Sequence, residues 1–210
     1  MTEFFTAPPP RESAPVVERP SPAWTGPPSG VLGAMCPLDV ILFQSDDLVI
    51  ALPGATVFPE GAKLHVRMGV RRRAGTDDNA WRTRRELVMR GPHHVPLHPG
   101  APLDDALLRL GVRFPDGGKA TTVDGRPDYD EWPPPRPDHP VLRFDGGGGG
   151  SGASDDVATG HWSLWLWPLP PPERFEFAVE WPSCGVPLTF TALDGQAIVA
   201  AAGRARPFWP

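Results

Sequence analysis

Cysteine and lysine are scarce in this sequence. Cys36 and Cys184 are the only cysteines, and they do not form a C-x-x-C pair. This excludes a disulfide-rich secreted scaffold, and we expect two buried or half-buried thiols in place of a disulfide. Lys63 and Lys119 are the only lysines among twenty basic residues. Such a preference for arginine fits a high-GC coding bias, so clusters of arginine carry little functional information.

Long apolar runs are absent as well. Nowhere do about eighteen apolar residues follow one another, as a membrane-spanning helix requires. The N-terminus has neither the basic region nor the apolar run of a signal peptide. These features predict a cytoplasmic protein without a membrane partner. The formal net charge of −5 argues against a protein whose whole surface is adapted to bind nucleic acid.

Proline and glycine are abundant, with 30 and 23 residues. In residues 1–33 the stretches APPPRES, ERPSP and GPPSG prevent helix formation and remove donors from any strand ladder. We therefore predict a disordered proline-rich tail over 1–33 and a single domain over 34–210. Loop-like composition predicts insertions near 115–140 and 145–160, the second of which contains five consecutive glycines.

Apolar and polar residues alternate in several short segments, as they do in strands that are buried on one face. In KLHVRMGVRRR the apolar side chains occupy every second position, so His65 and Arg67 face water. In RFEFAVEW the aromatic side chains of Phe177 and Trp181 share one face, and Glu176 lies on the other. This period of two predicts β-sheet structure.

Nine segments fit strands, either by this alternation, as short apolar runs rich in branched residues or as the return strand after a turn: 38–44, 47–54, 63–73, 107–114, 119–123, 141–144, 161–167, 174–181 and 186–193. Only DGQAIVAAAGRAR is typical of a helix, with Asp194 as its N-terminal cap. We predict an all-β fold, a β-sandwich or jelly roll of about eight or nine short strands with one short C-terminal helix.

Tryptophans are concentrated in HWSLWLWPLPPP. If Trp162 faces the core, Trp165 and Trp167 lie on the opposite face, where an ordinary sheet would be polar. We expect the chain itself to cover them, with its C-terminal helix, the RPFWP end or a polyproline II segment. The alternative is an exposed stacking platform for a sugar or a proline-rich peptide, to which Trp132 could contribute.

Arginines dominate the stretch from Lys63 to Arg90, where Arg71 and Arg73 are candidates for an outward phosphate-binding surface. No aromatic interleaving or known nucleic-acid motif accompanies them, so a solvated face is the expected interpretation. Binding of nucleic acid is therefore not predicted.

No pattern of metal-binding or catalytic residues is complete. His93, His94 and His98 lie close together but lack further zinc ligands of recognised spacing. The motifs of serine hydrolases, P-loops and dinucleotide-binding folds are absent in a convincing context. We predict no metal, no cofactor and no catalytic residue.

The carboxy-terminal stretch WLWPLPPPERFEFAVEWPSCGVPLTFTALDGQAI combines a W-L-W-P-L-P-P-P run, an E-W-P after the next strand and a D-G before an Ala-rich helix. In these features residues 34–210 resemble a group of β-rich proteins from high-GC Gram-positive bacteria. The resemblance implies a folded domain in a cytoplasmic bacterial setting. No activity is assigned to the group, so it implies no functional residue.

Surplus aromatic surface without a catalytic constellation favours one function. We expect a non-enzymatic β-sandwich that mediates contact with another protein or stabilises an assembly of unspecified oligomeric state. The first alternative is a small-ligand or carbohydrate-binding module that uses Trp165, Trp167 and Trp132. The second alternative is an enzyme of unrecognised class.

Overall fold

The computed structural model of the protein describes residues 21–90, 102–124, 133–145 and 149–209. Its largest sheet has six strands: β2 (Ala34–Gln44), β3 (Leu48–Phe58), β4 (Gly61–Arg71), β7 (Val141–Phe144), β8 (Gly149–Ala153) and β9 (Val157–Trp167). The sheet is antiparallel and has the order β2-β3-β4-β9-β7, with β8 also paired to β9.

A second sheet has four strands: β5 (Arg109–Arg113), β6 (Lys119–Thr121), β10 (Arg174–Trp181) and β11 (Val186–Asp194). It is antiparallel and has the order β11-β10-β5-β6. A separate two-stranded ribbon pairs β1 (Val31–Leu32) with β12 (Arg206–Pro207). Two α-helices are present in the described residues, α1 (Asp78–Arg90) and α2 (Gly195–Ala202).

The inner faces of the two large sheets form one hydrophobic core. Ile50 and Leu64 from the six-stranded sheet and Leu110, Phe177 and Trp181 from the four-stranded sheet are all buried there. The prediction of an all-β sandwich with a short C-terminal helix is thereby confirmed. Each of the nine predicted strand segments overlaps a strand of these sheets.

The alternation predicted for individual strands is confirmed. On β4 the apolar positions Leu64, Val66, Met68 and Val70 are buried, whereas Arg67 is exposed. On β10 Phe177 and Trp181 are likewise buried, together with Phe175 and Val179 on the same face. The period of two in the sequence therefore identified the core-facing side of these strands.

Helix α1 was not predicted. Its cap is Asp77, whose carboxylate accepts hydrogen bonds from the backbone N–H groups of Asn79 and Ala80, each at 3.0 Å. Trp81 and Val88, seven positions apart on one helical face, are buried in the core. The cap and this spacing were the available signals, but the arginines of this stretch favoured the interpretation of a solvated face without a defined element.

Helix α2 begins as predicted. The Asp194 carboxylate accepts hydrogen bonds from the N–H groups of Gln196 at 2.9 Å and Ala197 at 3.3 Å. The helix must start with Gly195, because a Cβ there would collide with the backbone carbonyl oxygens of Pro171 and Glu173. This close approach holds α2 against the chain that leads into β10.

The predicted loop over residues 145–160 is mostly sheet. Strand β8 covers Gly149–Ala153, and β9 begins at Val157. Antiparallel pairing with β9 satisfies the backbone of this glycine-rich segment, and ladder hydrogen bonds need no side chain. Of the insertion predicted over 115–140, residues 119–121 form β6, 133–140 are irregular, and 125–132 lie outside the described residues.

The predicted tail over residues 1–33 is too long. Residues 21–33, here called the N-terminal segment, include a 3₁₀ turn at Ala23–Thr25 and strand β1, and they pack on the six-stranded sheet. Pro22 has φ −59° and ψ 149°, so the polyproline II character is confirmed at this residue. Residues 1–20 lie outside the described part of the chain.

Both cysteines are free thiols, as expected. Burial raises the pKa of Cys36 and of Cys184, which keeps both thiols protonated and weakly nucleophilic. Among the described residues there is no helix whose length and apolar character would let it cross a membrane.

Candidate functional site

Trp165 and Trp167 lie on the outer face of the six-stranded sheet, and the chain itself covers them. Their exposed fractions are 0% and 4%. Phe58 packs edge-on against Trp165 with ring centroids 5.8 Å apart, and Trp24 packs against Trp167 at 6.0 Å. Self-coverage was the expected outcome. The cover is the N-terminal segment, mainly its 3₁₀ turn at Ala23–Thr25, and not the C-terminal helix.

Hydrogen bonds fix this cover in place. The indole Nε1–H of Trp165 donates to the carbonyl oxygen of Ala23 at 2.8 Å, and that of Trp24 donates to Pro134 at 3.2 Å. The guanidinium of Arg136 lies 5.2 Å from the ring centroid of Trp167. An exposed stacking platform of Trp165 and Trp167 is therefore absent from this structure. The third tryptophan proposed for it, Trp132, lies outside the described residues.

The predicted basic residues lie elsewhere. Arg71 ends β4 opposite Val157, whereas Trp165 is opposite Lys63, eight residues along β4, or about 27 Å. Both Arg71 and Arg73 contact Asp46, through its backbone oxygen and its carboxylate respectively. The structure thus does not bring the arginines and the tryptophans into one binding surface.

The predicted histidine cluster of His93, His94 and His98 lies outside the described residues. Within the described ranges, no group of three or more His, Cys, Asp or Glu side chains is arranged to hold a metal ion.

A depression occupies the part of the same outer face that the N-terminal segment leaves open. We call it the outer depression; its volume is about 520 Å³. Such a volume is in the range of small-ligand sites. Strands β2 and β3 supply an apolar side with Met35, Pro37 and Pro53, and strands β4 and β9 supply a polar side.

The floor of the outer depression is Gly54. It lies in register between Pro37 of β2 and His65 of β4. A Cβ at this position would stand 2.8 Å from the carbonyl oxygen of Cys36, so the backbones pack too closely for a side chain. The missing side chain creates the hollow between the two neighbouring strands.

The polar side contains a chain of hydrogen bonds. The Thr56 hydroxyl lies 2.8 Å from Nε2 of His65 and 3.4 Å from the sulfur of Met35. Nδ1 of His65 faces the Ser163 hydroxyl at 3.4 Å. Burial, reinforced by the positive charge of Lys63, lowers the pKa of His65. The neutral form of His65 is therefore favoured at neutral pH.

Arg67 and His161 complete the polar side. They are directly opposite each other on the antiparallel pair β4–β9, and each lies two residues along its strand from the neighbouring pair of His65 and Ser163. Both side chains are exposed, and neither has a hydrogen-bond or ion-pair partner among the described residues. Lys63, in contrast, is bound to Asp145 at 2.8 Å. In the described part of the chain, Arg67 is therefore the side chain of the outer depression whose positive charge is free to bind a ligand.

This arrangement is better suited to binding than to nucleophilic catalysis. A serine is activated by a histidine that a third group orients, usually a carboxylate. His65 is oriented by the neutral hydroxyl of Thr56, and the nearby carboxylate of Asp145 is engaged by Lys63. The hydroxyl of Ser163 therefore lacks the activation of a catalytic serine but can form a hydrogen bond with a ligand.

Sequence reasoning placed His65 and Arg67 on an outward face but did not single out His161 and Ser163. These two alternate with Trp162 and Leu164 on β9, which was the available signal. The pairing of β4 with β9 brings all four residues together, and no local pattern specifies that pairing.

Comparison of the chain with protein-family models, with curated proteins and with solved structures yields no match. The resemblance to β-rich proteins of high-GC Gram-positive bacteria stays a prediction.

Proposed function

We propose that this protein is a non-enzymatic β-sandwich that binds a small ligand in the outer depression. The observation that carries the proposal is the meeting of an apolar side with four polar side chains in one hollow of ligand size. Sites of this composition use apolar walls for affinity and a few polar groups for orientation. The binding residues are those of the depression, and the covered Trp165 and Trp167 are structural.

Two features support the preformed character of this site. Its walls stand on four consecutive strands of one sheet, which fixes their spacing. His65 is held on two sides by Thr56 and Ser163. A ligand would therefore meet a site that needs little reorganisation, which limits the entropic cost of binding.

A fragment screen by NMR on isotope-labelled full-length protein tests the proposal. We expect fragments to shift the signals of Gly54, His65 and His161. Ser163→Phe places a ring in the hollow and should weaken binding by about tenfold or more. Ala192→Phe adds the same ring to an exposed position of β11 in the other sheet and should leave binding unchanged.

Both variants should keep the fold, because each side chain points away from the core. Fragments that bind diffusely, or that bind Ser163→Phe as well as the unaltered protein, would contradict the proposal. A hydrolytic activity lost in Ser163→Ala would also contradict it, in favour of an enzyme.

A cytoplasmic location is part of the same proposal. Its support is the pair of free thiols, Cys36 and Cys184, which is typical of a reducing compartment.

Contact with another protein is a second candidate function. The chain's own cover over Trp165 and Trp167 removes the aromatic surface that first suggested it. Other apolar residues now favour it: Leu32 of β1 is 44% exposed, and Phe208 and Trp209, which follow β12, are 51% and 79% exposed. A second copy of the chain is the partner that can be tested directly.

Sedimentation velocity over a range of protein concentrations makes that test. We expect weak self-association that Trp209→Ser reduces, because a large exposed indole is a typical anchor of a protein contact. A sedimentation coefficient that is independent of concentration would remove this candidate partner.

A further inference from the structure

The polar side of the outer depression carries a pair of cationic or ionisable side chains. Arg67 from β4 and His161 from β9 are direct cross-strand partners, so their side chains emerge side by side from the same face. Neither is neutralised by a carboxylate among the described residues.

The side of the depression formed by β2 and β3 is uncharged in the residues that the structure describes. Met35, Pro37 and Pro53 present an apolar surface, and Met35 is 60% exposed. A flexible thioether adapts to ligands of different shape, and the proline rings are rigid. The depression is therefore amphipathic, with an apolar half on β2–β3 and a cationic half on β4–β9.

We infer that the ligand of this site is a small carboxylate with an apolar body. The inference rests on the proposed function and specifies its ligand class. The carboxylate accepts hydrogen bonds from the guanidinium of Arg67 and from an imidazole N–H of His161, and the apolar body lies on Met35, Pro37 and Pro53. The hydroxyl of Ser163 and the ring of His65 line the middle of the site.

The number of cationic groups favours a carboxylate over a phosphate. Arg67 matches the two oxygens of a carboxylate with parallel N–H donors. His161 donates an N–H in either protonation state. His65 is held neutral, and Lys63 is engaged by Asp145, so neither adds charge for a dianion. Among the residues that the structure describes, Arg67 is the permanent cation of the depression that is free to bind an anion, so a single negative charge matches it.

A matched pair of probes tests this inference: hydrocinnamate and its neutral amide, hydrocinnamamide, titrated into the full-length protein by NMR. We expect the carboxylate to bind about tenfold more tightly than the amide, since a hydrogen bond to a charged group outweighs a neutral one. Arg67→Gln should remove this preference and leave the affinity for the amide unchanged. His161→Ala should reduce the preference in part, because it removes the second N–H donor.

Arg174→Gln is the control, because it removes the same charge from an exposed position at the start of β10 in the other sheet. It should leave both affinities unchanged. Added salt should weaken the binding of the carboxylate and leave the binding of the amide unchanged.

The outcomes separate this inference from the proposed function. If both probes bind equally and Ser163→Phe weakens both, the depression is a binding site but the carboxylate inference is wrong. If the preference persists in Arg67→Gln, or if hydrocinnamate shifts no signal of the depression, the inference is likewise overturned. The fragment screen then decides the proposed function independently.

Discussion

Trp24→Ala is expected to lower the free energy of unfolding by about 3 kcal/mol. The substitution removes the ring that packs on Trp167 and the Nε1–H donor to Pro134. It also loosens the turn whose Ala23 carbonyl accepts from Trp165. For a domain of this size the melting temperature should fall by about 6 to 12 °C in a thermal unfolding experiment.

Trp209→Ala is the matched control. It makes the same truncation at a tryptophan that is 79% exposed, so the melting temperature should change little. Acrylamide should quench tryptophan fluorescence more strongly in Trp24→Ala than in the unaltered protein, because Trp165 and Trp167 lose their cover. Equal melting temperatures for the two variants would mean that the N-terminal segment does not stabilise the sandwich.

Phe177→Ala, made as a separate single substitution, should lower the free energy of unfolding by about 3 to 5 kcal/mol. Its ring is completely buried between the two sheets, on a strand that is paired on both sides with β5 and β11. The remaining cavity is enclosed by strands that cannot collapse into it. Chemical denaturation monitored by tryptophan fluorescence measures the loss, and poor soluble expression would be the corresponding result in the cell.

Glu176→Ala, at the adjacent position of β10, should cost less than about 1 kcal/mol. The Glu176 carboxylate faces outward and pairs with Arg113 in a partly exposed ion pair. A similar loss of stability in both variants would contradict the assignment of the two faces of β10.

The candidate site was predicted only in part. The alternation on β4 placed His65 and Arg67 on the outward face, and the structure agrees. That alternation gave no indication that His161 and Ser163 would lie opposite them, because pairing partners of strands distant in sequence are chosen by the whole core. The hollow itself depends on the close approach of Gly54 to Cys36, which is a property of paired backbones.

The N-terminal segment was likewise predicted only in part. Its proline content predicted an extended backbone, and Pro22 has that conformation. Composition alone also suggested that the segment would be free in solution. Whether an extended segment docks depends on a complementary surface, and that surface is formed by Trp165, Trp167 and Phe58 only when β3 and β9 join one sheet.

The sequence by itself determined the class of fold, most strand segments, the faces of β4 and β10 and the cap of α2. Each of these depends on local rules: a period of two, a capping carboxylate and the conformational limits of proline. Only the tertiary structure decided that Trp165 and Trp167 are covered and that Arg67 meets His161 beside an apolar hollow. These features depend on contacts between segments that are far apart in the chain, and burial and charge at such contacts are properties of the assembled sheets.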